Sequence, residues 1–133
     1  MKKKQPAAAV PSALVAGLLQ DGERALFLVR RNVKGEETVE LPFVLLQKGG
    51  NPVAALAAEF RRQTGIDAQV HEIAFERKHN IGSRKRKAFV PVLVFRLTAK
   101  NAAAKTAPEF SGYRWLSPED LAGCRKARSA AWL

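Results

Sequence analysis

The chain has 133 residues, with 23 Lys+Arg against 12 Asp+Glu and a formal charge of +11. This length suits one domain, and a hydrophobic share of 47% excludes wholesale disorder. The single cysteine, Cys124, excludes a disulfide framework and a cysteine-rich zinc module, while the charge favours anionic partners.

Residues 1–11 read as a basic flexible tail and 12–133 as a single domain. Lys2 to Lys4 before Ala7–Leu19 has the outline of a secretory signal. Pro6 and Pro11 interrupt it and no small-residue cleavage site follows, so a cytoplasmic protein is expected. No apolar run approaches the ~20 residues of a membrane-spanning helix, and no membrane partner is expected.

A strand is expected over 12–19, and Asp21-Gly22 supplies the tight turn into a second strand over Ala25–Arg31. Asn32–Thr38 is a polar loop. Val39–Leu46 is extended and broken by Pro42, and Lys48-Gly49-Gly50 is a link. Asn51 as N-cap, Pro52 at the first turn and Gly65 as terminator bracket an alanine-rich helix. Residues 68–78 and 88–98 are strands, with Pro91 pointing to an edge or a bulge. Phe110–Leu116 is a last strand, with Trp115 a core candidate. Ser117-Pro118-Glu119-Asp120 opens a final helix through a capping box. The fold class is α+β, an α/β/α sandwich: a mixed sheet with a helix packed on it and a short C-terminal helix.

From Glu40-Leu41-Pro42 to Thr64-Gly65-Ile66 the sequence resembles the box of the Nudix (MutT-like) superfamily, ELPGG, an acidic loop, then REUxEExGU with U aliphatic. The likeness extends over roughly residues 12–125 and implies a Nudix-like fold. The box is degenerate. The two family glycines fall on Phe43 and Val44, the first acid on Gly50 and the helix arginine on Ala58. The retained glutamate is Glu59, and the adjacent glutamate pair falls on Arg62 and Gln63.

Diphosphate hydrolysis needs divalent cations, and Mg2+ needs converging oxygen ligands. Positions 59, 62 and 63 share one helix face, where a guanidinium now replaces a carboxylate. The resemblance makes Glu59 the catalytic and metal-ligand candidate. Alternatively, Glu59 pairs with Arg62 or Gln63 at i,i+3 or i,i+4. Arg62 reads either as a phosphate clamp replacing metal or as a helix-end cation. Arg30, Arg31 and Lys48 are the other candidates for phosphate or nucleotide binding.

Between Arg77 and Lys87 lie six basic residues and no acid: Arg77, Lys78, Arg84, Lys85, Arg86 and Lys87. They form either a nucleic-acid patch or a solvated loop. His71 and His79 have no partner at metal spacing, and Cys124 is a packing residue. Trp132-Leu133 either docks on the body or contacts another subunit, which leaves a homodimer open.

The resemblance implies a Nudix-fold protein binding a nucleotide, polyphosphate or RNA with little or no hydrolysis and no cofactor. The alternative is a hydrolase of nucleoside diphosphate-linked compounds that uses Mg2+ with Glu59 and another acid, Glu40 or Glu109.

Overall fold

A computed structural model describes residues 11–133. The expectation of a basic tail falls almost wholly outside the described residues.

Seven strands are joined around one hub. Strand β1 (Ala13–Asp21) turns at Gly22, whose φ is 65°, into β2 (Arg24–Arg31). Strands β3 (Glu37–Glu40) and β4 (Phe43–Leu46) follow, separated by Leu41-Pro42, so the expected extended segment is two strands in different sheets. The long hairpin is β5 (Gln69–Asn80) and β6 (Phe89–Thr98), and β7 (Gly112–Leu116) comes last. One sheet runs β4-β1-β6-β5, with β1 and β6 parallel, and the other runs β3-β2-β7. The β1–β2 hairpin connects them.

Strand β1 is a continuous apolar run because both its faces are covered. Leu14 and Ala16 enter a core between the sheets with Phe27, Val29, Val92 and Val94. Ala13, Val15 and Leu19 face the opposite way, into a core closed by Leu56, Phe60 and Ile66.

Those last residues belong to or follow helix α1 (Pro52–Thr64). Asn51 caps it by accepting from the amides of Val53 and Ala54 at 3.0 and 3.1 Å. Gly65 ends it at φ 72°, a left-handed conformation that glycine adopts without strain. Helix α2 (Pro118–Ala122) is short and carries the expected capping box between Ser117 and Asp120.

Strand β6 is interior. Pro91 is tolerated because pairing with β1 begins one residue later, at Leu14 opposite Val92. The irregularities of the hairpin lie on β5 instead, between Val70 and Phe75.

The C-terminal segment docks on the body. The Val39 amide donates to Arg125 O at 2.9 Å and the Ala127 amide to Val39 O at 3.0 Å, which covers the free edge of β3. After a 3-10 turn at Arg128–Ala130, Trp132 packs into the inter-sheet core. Trp115 is half-buried against the core beside α1. Among the described residues no helix is long and apolar enough to cross a membrane.

Candidate functional site

Two regions collect the candidate residues. The first is the face of α1 that carries Glu59, Arg62 and Gln63. Helical spacing puts Glu59 one turn before Arg62, and the guanidinium folds back onto it: Arg62 Nε and Nη2 donate to Glu59 at 3.0 and 2.7 Å. The same Nη2 also donates to Glu109 at 2.7 Å, and Nη1 to Glu109 at 3.4 Å. All three guanidinium nitrogens are therefore engaged by two carboxylates. These bonds hold the carboxyls of Glu59 and Glu109 below the ordinary range and raise the pKa of Arg62.

Gln63 is buried and completes the cluster. Its Nε2 donates to Glu59 Oε2 and to the Phe43 carbonyl, each at 2.8 Å. That dual role explains an amide at this position, because two acceptors converge where a carboxylate would meet only repulsion. Its Oε1 is left without a partner.

Arg30 extends the network. Its Nε donates to Glu40 at 2.8 Å, and its guanidinium lies 4.6 Å from the centre of the Phe110 ring. Its charge also helps hold down the Glu109 carboxyl. Glu40 is 1% exposed, so Arg30 is the partner that makes a buried carboxylate tolerable there. Arg31 donates to Glu37 at 2.6 Å.

Arg30, Arg31 and Glu40 line an open cleft of about 820 Å3 between the two sheets, together with Phe43, His79 and Arg128. Lys48 lies in the exposed turn before α1 and does not line this cleft.

The second region is the β5–β6 loop. Asn80 Oδ1 accepts from the amides of Gly82 and Ala88, both at 2.9 Å. Ser83 N donates to Arg86 O at 2.9 Å, and Ser83 Oγ accepts from Arg86 N at 2.8 Å. Arg84 and Lys85 thus form the two central residues of a closed turn. Gly82 sits where a Cβ would approach Arg86 O to 2.1 Å, so the tight crossing requires glycine. Arg128 Nη2 donates to Gly82 O at 3.2 Å and ties this loop to the C-terminal turn.

His79 is a cleft residue that metal-ligand spacing in the sequence does not single out. The alternation of β5, with Phe75, Arg77 and His79 opposite Val94, Val92 and Val90, was the signal available. It places His79 on the buried face. His71 instead contacts Thr98 Oγ1 at 2.7 Å.

The NUDIX domain family model matches residues 9–133. The chain belongs to the Nudix family. This Nudix protein is 28% identical over 123 residues to a MutT-like protein of Streptomyces ambofaciens, across 91% of its own length and 75% of the relative's. Its fold is similar to that of E. coli dihydroneopterin triphosphate pyrophosphohydrolase, with a TM-score of 0.66, 18% identity and coverage of 93% of this chain and 94% of that one. The MutT protein of Methanosarcina mazei Go1 is also similar, with a TM-score of 0.64 at 20% identity over 92% and 88% of the two chains.

Nudix hydrolases normally use Mg2+, an ion that requires converging oxygen ligands. Among the described residues no group of three or more His, Cys, Asp or Glu side chains is placed to hold a metal. Glu59 and Glu109 converge on Arg62, and Gln63 turns its amide nitrogen, not its oxygen, toward Glu59. Glu40, the other acid considered, is paired with Arg30. As arranged, these residues do not fit Mg2+, which demands near-octahedral oxygen ligands.

Proposed function

We propose that this Nudix protein binds phosphate-bearing ligands, a nucleotide, polyphosphate or RNA, with little or no metal-dependent hydrolysis. The observation that carries the reading is Arg62 held between Glu59 and Glu109 at 2.7 Å from each. A fixed guanidinium stands at the carboxylate-rich face, and its charge is permanent. Arg62 bonds both carboxylates and offsets half of their charge, the part a divalent ion would otherwise take.

The ligand phosphates are assigned to the inter-sheet cleft, where Arg30, Arg31 and Arg128 supply planar donor forks. Arg30 keeps Nη1 unpaired to protein oxygen, since its bonds to Glu40 use Nε and Nη2. Arg62 has one Nη1 hydrogen beyond its bonds to the two carboxylates, and its role is to set the position of Glu109 beside Arg30.

A panel of nucleoside diphosphate-linked compounds tests this reading by thermal shift and by release of phosphomonoester, with Mg2+ and with EDTA. Binding that survives EDTA without turnover is expected. Mg2+-dependent turnover abolished by Glu59→Gln would replace this reading with the hydrolase one.

A further inference from the structure

The inter-sheet cleft does not end at the C-terminal turn. A second open cleft, of about 750 Å3, continues beyond His79, Asn80 and Arg128, which line both. Its far side is made by Lys78, the loop tip Arg84-Lys85 and Trp132.

Two observations at this junction are independent of the α1 face. The first concerns charge. Arg30, Arg31, Arg62, Arg96, Arg114 and Arg125 are each matched by a glutamate. Among the described residues, no cation between Arg77 and Lys87 has such a partner, nor has Arg128; other unmatched cations, such as Arg24, Lys34 and Arg61, stand apart from one another in the sequence. Four consecutive cations, Arg84 to Lys87, are held at the end of a loop whose backbone is closed by Asn80 and Ser83. Like charges fixed together repel, and an anion spanning them relieves that repulsion.

The second observation is His79. It is 9% exposed, makes no hydrogen bond to the described protein and lines both clefts. Burial, together with the charge of Arg128, lowers its pKa and so disfavours the charged ring. The charged groups around it are Lys78 on its own strand, Arg84 and Lys85 on the loop, and Arg128 on the C-terminal turn. Across the first cleft are Arg30, Arg31, Glu36 and Glu40. Glu40 is paired with Arg30, and Glu36 with Asn32 and Arg125.

We propose that the two clefts form a continuous track for single-stranded nucleic acid, with His79 and Arg128 as a phosphate subsite at the junction and Arg84-Lys85 gripping the next phosphate. Each cleft falls in the ~300–1,000 Å3 range of small-ligand pockets, and two of them end to end suit successive units of a chain. Single strands are bound elsewhere by positively charged grooves that track the phosphate backbone. The inference deepens the anion-binding reading above and rests on it only for the first cleft. A phosphate at the junction gives His79 the counter-charge it lacks, so binding takes up a proton.

The test is fluorescence anisotropy with labelled oligouridylate and oligothymidylate of about eight nucleotides, beside ADP titrations read by thermal shift. Both oligonucleotides should bind wild type more tightly as pH falls from roughly 7.5 to 5.5, and His79→Gln should flatten that dependence. R84A/K85A should lower the log–log salt slope by ~1.4, that is, ~0.7 for each lost contact. Raising salt fourfold should therefore weaken wild type about sevenfold more than the variant. R86A/K87A serves as a second pair on the same exposed loop, and circular dichroism confirms folding of each variant.

An unchanged slope in R84A/K85A, equal pH dependence in wild type and His79→Gln, or no oligonucleotide binding at low salt would overturn the track. If ADP binding persists in any of those cases, the nucleotide reading of the first cleft stands while this one falls. If oligonucleotides bind as expected but ADP does not, the reverse holds.

Discussion

Replacing Arg62 and Gln63 together by glutamate inverts the electrostatics of the α1 face. At present Glu59 and Glu109 with Arg62 amount to a local charge of −1; in R62E/Q63E four carboxylates amount to −4. The demanding position is 63, which is 5% exposed and whose Nε2 lies 2.8 Å from the Phe43 carbonyl. A buried charge without a partner costs ~3–5 kcal/mol. Relaxation toward water at the rim of the helix reduces this to about 2–3 kcal/mol of lost stability in EDTA. The variant also offers the oxygen ligands that Mg2+ takes. At a hundredfold excess over its Kd, Mg2+ restores ~2.7 kcal/mol, which for a chain of this size raises Tm by roughly 8–13 °C. Thermal unfolding across a Mg2+ titration measures this directly. Wild type should be indifferent to Mg2+. A wild-type Tm that climbs with Mg2+ as steeply as the variant's, or a variant that ignores Mg2+, refutes the idea that Arg62 stands in for the ion.

Three further outcomes are expected. His79 is kept neutral by burial, with its folded pKa below the unfolded value of 6.5, so its contribution to stability is complete above 6.5 and is lost as pH falls through the folded value. Urea midpoints of ligand-free wild type should therefore decline on mild acidification more than those of His79→Gln. Arg30→Met should cost ~1.5–3 kcal/mol by stripping the buried Glu40 of its charged partner. R30M/E40L should recover most of that loss in chemical denaturation, because an apolar pair replaces the ion pair at little cost; equal midpoints for Arg30→Met and wild type would contradict it. Gly82→Ala must open the loop, since its Cβ would sit 2.1 Å from Arg86 O. A loss of ~1–3 kcal/mol in stability is expected, with weaker oligonucleotide binding and unchanged ADP binding.

Signals confined to a few neighbouring residues were legible in the sequence. Asn51 and Gly65 delimit α1, Asp21-Gly22 marks the first hairpin, and Ser117 with Asp120 opens α2. The helix face Glu59, Arg62, Gln63 follows from helical spacing alone, and the ion pair at i,i+3 was one of its two readings. Glu109 lies 47 residues further on, and no local pattern announces that its carboxylate shares Nη2 of Arg62. The burial of Glu40 was hidden for the same reason, since the cross-strand partner Arg30 decides it. Pro91 illustrates the opposite limit. Its missing donor constrains only the side of β6 on which β1 has not yet begun, a fact of register rather than of composition. His79 became a site residue only through its tertiary surroundings, the C-terminal turn and the facing sheet.

The hub position of β1 has a consequence for the chain as it leaves the ribosome. Leu14 meets its parallel neighbour Val92 some 78 residues later. At ~5–20 residues per second, that neighbour is synthesised about 4–16 s after β1. Until then β1 can pair with β2 and β4, but one of its edges stays open and both of its faces remain strongly apolar. The nascent protein thus passes through an interval in which an apolar strand destined for burial on both faces is available to other chains. Slowing translation between α1 and β6 should lengthen that interval and lower the soluble yield without altering the finished fold.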